Sequence, residues 1–103
     1  MNDKSLQITE KIEEEICRFF IKGRVDSNNA DALQDRLDKA LESGQRTIIL
    51  NMSQIEYLSS IGIRVVLKIV KQAEEAGGSV KIERPSKIVR NVLGMAALKE
   101  ILI

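Results

Sequence analysis

Histidine and tryptophan are absent from this 103-residue chain, cysteine and proline occur once each, and three residues are aromatic: Phe19, Phe20 and Tyr57. Without histidine, the commonest general base and the commonest neutral metal ligand are missing. Cys17 has no imidazole to activate it, which argues against a cysteine hydrolase, and a lone cysteine forms no internal disulfide. That suits a reducing compartment. Cys17 sits in the strand-like run Ile16 to Ile21, so a small buried hydrophobe is its expected role. No glycine-rich phosphate loop of the dinucleotide-binding or P-loop kind is present. Glu13-Glu14-Glu15 and Glu74-Glu75 fall where solvated turns and helix faces are expected, not in a catalytic pair. The expectation is therefore no catalytic residue, no metal site and no cofactor.

Long apolar runs are lacking too. Nothing approaches the length that crosses a bilayer, and the N-terminus has no signal-peptide core, so a cytoplasmic protein with no direct membrane insertion is expected. The 16 basic and 15 acidic side chains nearly cancel, to a formal net charge of +1. There is neither a basic field nor an aromatic stacking platform, so nucleic acid is not an expected partner.

What remains is a composition of 44% hydrophobic and 30% charged residues, ordinary for a folded domain. One domain over residues 1–103 is expected, its core built from Leu, Ile, Val and Ala. Leu6, Ile8 and Ile12 mark a first strand, and Ile16 to Lys22 a second, broken by Gly23. The two form an antiparallel hairpin around the acidic turn. Asp26-Ser27-Asn28-Asn29 offers several N-caps for a helix carrying Ala30, Leu33, Leu37, Ala40 and Leu41, with Gly44 just past its end. Thr47 to Met52 is almost continuously apolar and reads as a central strand. A second helix runs to about Ala76 with Ile63, Val66, Leu67, Val70 and Ala73 on its apolar stripe. Ser79 to Glu83 forms a fourth strand. After Pro85, a short helix carries Ile88, Val89, Val92 and Leu93 and stops at Gly94; a last helical turn and apolar segment cover Met95 to Ile103. Met52 and Met95 are expected to fill gaps in the core. Strands alternating with helices give an α/β domain, a mixed four- to five-stranded sheet with packed helices.

The most informative stretch is Tyr57-Leu58-Ser59-Ser60-Ile61-Gly62-Ile63-Arg64. It leads from the central strand into the second helix and leaves hydroxyls at a helix start, where backbone N–H groups are unpaired and the dipole favours negative charge. A serine there either caps the helix or accepts a phosphate whose charge the site can hold. Arg64, Lys68 and Lys71 on the following turns form either a docking face or an ordinary solvated one.

In order and spacing, these segments resemble STAS domains, and among them the bacterial anti-sigma factor antagonists of partner-switching systems. The resemblance rests on Gly23-Arg24-Val25-Asp26, the strand Thr47 to Met52, the Tyr57 to Arg64 signature, Gly77-Gly78-Ser79-Val80-Lys81-Ile82, and Val89 to Met95 with its Val92-Leu93-Gly94 core. It implies a STAS-like fold and places Ser60 on the serine that a cognate kinase phosphorylates, with Ser59 as a second candidate. Ser59 stands where the family usually has aspartate, and Ile61 where it usually has a small residue. Asp26 falls on a commonly acidic position near the phosphorylation site, where it either orients the Ser60 hydroxyl or caps the first helix.

The partner-facing set implied is Asp26, Ser59, Ser60, Ile61, Gly62, Arg64 and Lys68. The unmodified form is expected to bind an anti-sigma factor with serine kinase activity and so release a sigma factor. Phosphorylation at Ser60 switches that binding off, and a serine phosphatase resets it. The alternatives are a non-phosphorylated STAS subunit or regulator of a membrane lipid-transport system, and a small-ligand or nucleotide binder.

Overall fold

The computed structural model describes residues 5–95, with the Met95 side chain excepted. The expected turn and apolar segment over residues 96–103 lie outside the described residues. β1 (Leu6–Glu13) and β2 (Ile16–Val25) form the expected antiparallel hairpin, its turn closed by Glu14 at φ 56°. α1 (Ala30–Glu42) then crosses to β3 (Thr47–Leu58), which pairs parallel with β2. α2 (Ser60–Glu75) crosses to β4 (Ser79–Glu83), parallel with β3, and α3 (Lys87–Met95) follows. Parallel neighbours need such crossovers. The sheet order is β1-β2-β3-β4, a mixed four-stranded α/β architecture among the described residues.

The core lies on one face of the sheet. Cys17, Phe19 and Ile21 of β2, Ile48, Leu50 and Met52 of β3, and Val80 and Ile82 of β4 alternate to that side. Leu33 and Leu37 of α1, Val66, Ile69 and Ala73 of α2, and Val89 and Leu93 of α3 join them in one buried cluster. Cys17 is fully buried and its Sγ donates to Glu10 Oε2 at 3.7 Å. Burial, then the neighbouring Glu10 carboxylate, pushes the thiol up to about 11, so it packs as a neutral small hydrophobe, as its strand position implied. The opposite face carries Arg18, Phe20, Lys22, Asn51 and Glu83, none of them fully buried. There Arg18 Nε and Asn51 Nδ2 both donate to Glu83 Oε2, at 2.9 and 3.0 Å.

Four sequence expectations are corrected. β2 does not break at Gly23; it continues to Val25 through a register irregularity, with Gly23 at φ 110°. A Cβ at Gly23 would collide with the Ser5 carbonyl, which accepts the Arg24 N–H at 2.8 Å. β3 runs six residues past Met52, because the polar stretch beyond it still pairs with the extended end of β2. On α2 the expected Val66 and Ala73 are buried and Ile63 and Val70 pack partly buried against the core, but Val65 and Ile69 join them and Leu67 is exposed. α3 passes through Gly94 to Met95 instead of stopping.

Candidate functional site

The long β3 delivers the Tyr57 to Arg64 stretch to the edge of the core. Leu58, its last residue, is buried beside its pairing partner Val25. The chain then turns, and Ser59 N–H donates to the Val25 carbonyl at 3.0 Å, fastening the start of α2 to the end of β2. Ser59 is the N-cap, extended at φ −75° and ψ 170°, and its Oγ accepts the Gly62 N–H at 3.2 Å. One orphan donor of the helix is thereby satisfied.

Gly62 is buried, and a Cβ there would approach Leu58 Cδ1 to 2.7 Å and Val25 Cγ1 to 2.8 Å. The glycine lets the first turn of α2 settle onto the ends of β2 and β3. That seating in turn aims the neighbouring side chains outward.

Ser60 is the first helical residue and is exposed, and its hydroxyl forms no hydrogen bond among the described residues. The two adjacent serines thus hold different positions: one oxygen is engaged by the backbone and the other faces solvent. Ile61 is 39% exposed. Arg64, Lys68 and Lys71 are exposed on the same helix, and none forms an ion pair among the described residues. No acidic residue occupies the first turn of α2.

Asp26 directly follows Val25, so the Ser59–Val25 bond brings its loop to the same end of the sheet. Its carboxylate accepts the Asn28 N–H at 2.9 Å and makes no hydrogen bond to Ser60 among the described residues. The N-cap position of α1 belongs to Asn29, not Asp26. Asn29 is one of the cap candidates that the run Asp26 to Asn29 offers. It is 2% exposed, its Oδ1 accepts the Asp26 N–H at 2.9 Å, and its Nδ2 donates to the Arg24 carbonyl at 2.8 Å and to Ser5 Oγ at 3.2 Å. A buried amide with both ends bonded fixes the loop that carries Asp26. Beside it, the Arg24 guanidinium lies 4.5 Å from the centroid of the half-exposed Tyr57 ring.

Among the described residues no cluster of acidic or thiol side chains is arranged to hold a metal ion, and no helix is long and apolar enough to cross a membrane. The depression on the open sheet face, lined by Thr9, Phe20, Lys22, Asn51 and Gln54, is separate from the α2 start.

Fold and site together define a small mixed α/β domain with an exposed serine at the start of α2. The chain belongs to the STAS domain family, whose model matches residues 7–102. It is similar to BtrV of Bordetella bronchiseptica, a protein named for an anti-sigma factor antagonist role, with 31% identity across 79% of this chain and 70% of that protein. It is also similar to the anti-sigma-B factor antagonist of Bacillus subtilis, at 26% identity across 95% of this chain and 89% of that one. Among solved structures, unphosphorylated SpoIIAA, an anti-sigma factor antagonist, superposes with a TM-score of 0.82 at 22% identity, covering 95% of this chain and 85% of that one. Its phosphorylated form superposes at 0.77 and 21% identity, covering 95% and 88%. These structural likenesses establish the shared fold. The named relatives are regulators of anti-sigma factors, not enzymes by name, and a partner-switching role fits the chain.

Proposed function

We propose that this chain is a cytoplasmic anti-sigma factor antagonist switched by phosphorylation at Ser60. One observation carries the choice of residue: the Ser60 hydroxyl is exposed and, among the described residues, unbonded at the helix start, whereas the Ser59 hydroxyl is held by the Gly62 N–H. In the unmodified state the α2 start docks on an anti-sigma factor that is also a serine kinase, and that docking frees the sigma factor. The kinase transfers the terminal phosphoryl group of a nucleoside triphosphate to Ser60 Oγ; the hydroxyl proton leaves and the diphosphate is released. The phosphate brings roughly −1.5 to −2 charge onto the contact. The fold tolerates it, because backbone N–H groups and the helix dipole favour an anion there. The complex does not, since it must desolvate a charge with no counterpart. A loss of about 3 kcal/mol corresponds to roughly a hundredfold in affinity, which is enough for a switch. A serine phosphatase hydrolyses the ester and restores the binding form.

The test is affinity for the cognate anti-sigma factor kinase, measured for wild type, Ser60→Ala and Ser60→Glu by calorimetry. Ser60→Ala is expected to bind like wild type and to resist phosphorylation, and Ser60→Glu to bind at least tenfold more weakly. Phosphorylation persisting in Ser60→Ala refutes the assignment.

A further inference from the structure

The outward line of α2 carries more than a hydroxyl. Ser60, Arg64, Leu67 and Lys71 recur at i, i+4, i+7 and i+11, so they share one face, with Ile61 and Lys68 along its flank. All six are exposed, Ile61 and Leu67 by 39% and 41%. The three cations have no ion-pair partner among the described residues, and the helix has no acidic residue before Glu74. Lys11 and Arg36, by contrast, each have an acidic partner, Glu13 at 3.2 Å and Glu10 at 3.3 Å. An uncompensated cationic stripe around two exposed aliphatic side chains is complementary to one kind of partner, an acidic surface with an apolar centre.

We propose that this stripe docks an acidic face of the partner protein, and that phosphate on Ser60 disables it by drawing Arg64 into an intrahelical pair. The inference rests on the Ser60 reading above and gives that switch a second arm. An anion at position i and a cation at i+4, the anion nearer the helix N-terminus, is the favourable orientation on a helix. A phosphoserine presents three acceptor oxygens to the Arg64 guanidinium one turn away. The partner then meets a new negative charge and also loses the cation nearest to it along the stripe. Asp26, on the loop tied to Ser59, is the acidic side chain on the neighbouring segment; its bond to the Asn28 N–H holds it within its own loop.

Phosphoserine placed at position 60 of the full chain allows a test by phosphorus NMR titration. The second ionisation of the phosphate is expected about 0.3–0.5 pH unit lower in the otherwise wild-type protein than in Arg64→Gln. Equal values overturn the Arg64 pair. For docking, the probe is the kinase that modifies Ser60. Arg64→Gln and Lys71→Gln are each expected to weaken binding of the unmodified protein about three- to tenfold, with wild-type affinity falling as salt rises. Binding insensitive to salt and to both substitutions overturns the acidic-partner assignment. The two readings fail separately. Absence of phosphate on Ser60 in cells defeats the switch, whereas phosphate found there with no Arg64-dependent shift defeats only the pair.

Discussion

The starts of α1 and α2 lie at the same end of the sheet, one bond apart through the Val25 carbonyl, yet they are built in opposite ways. At α1 the polar side chains are turned inward. Asn29 is buried and bonded to Asp26, Arg24 and Ser5, and the Asp26 carboxylate is occupied by the Asn28 N–H. At α2, among the described residues, one side-chain bond, from the Gly62 N–H to Ser59 Oγ, caps the helix, and Ser60, Ile61 and Arg64 face solvent. One start is closed on itself and serves the fold. The other is held by the least that fixes its geometry, which leaves its first turn free for another molecule. Substitutions at α1 should therefore appear in stability, and those on the outward face of α2 in binding.

Asn29→Ala is the strongest way to break the first half of that contrast. It strands the Asp26 N–H and the Arg24 carbonyl in a partly buried setting, and a loss of about 1–3 kcal/mol is expected in urea unfolding. Gly62→Ala comes next. Its new methyl meets Leu58 and Val25 at under 3 Å, so about 1–3 kcal/mol should be lost, with partner binding weakened because the helix start is lifted. Ser59→Ala removes the cap and should cost about 1 kcal/mol. Ser60→Ala, one residue along, should stay within about 0.5 kcal/mol of wild type, a difference that thermal unfolding of the pair reads directly.

A further effect lies in the core and shows only at alkaline pH. The folded Cys17 thiol titrates near 11 against an ordinary value of 9.0, so the folded state holds its proton more tightly than the unfolded chain. Stability from this group is complete below pH 9.0 and is lost as pH rises towards 11. The slope it adds is at most about 1.4 kcal/mol per pH unit. Cys17→Ala should flatten the alkaline fall in stability relative to wild type.

Much of this architecture is legible in the residues. The hairpin follows from two short apolar runs around Glu13-Glu14-Glu15, and β4 from the alternation between Ser79 and Glu83. Gly44, at φ 100° just beyond α1, ends its helix as glycines do. The α2 start was also readable, because a serine pair and a glycine between an apolar strand and a helical stripe have few other uses. The rest depends on tertiary contacts. Ser53-Gln54-Ile55-Glu56 looks like a loop on propensity, yet it stays in β3 because β2 is long enough to pair with it. Leu67 and Val65 are equally apolar, and only the packing partners decide which one faces the core. Asn29 resembles any turn asparagine until its three partners surround it, Ser5 among them from 24 residues away. The Arg18–Glu83 pair, 65 residues apart, carries no local signal at all.

The central claim is that Ser60, and not Ser59, is the exposed acceptor of a regulatory phosphate. The most direct measurement is the intact mass of the protein recovered from its native cells across growth and stress, with fragmentation to place any modification. The account predicts a population heavier by one phosphoryl group, mapped to Ser60, whose share changes with conditions. A single unmodified mass under every condition, or a phosphate mapped to Ser59, contradicts it.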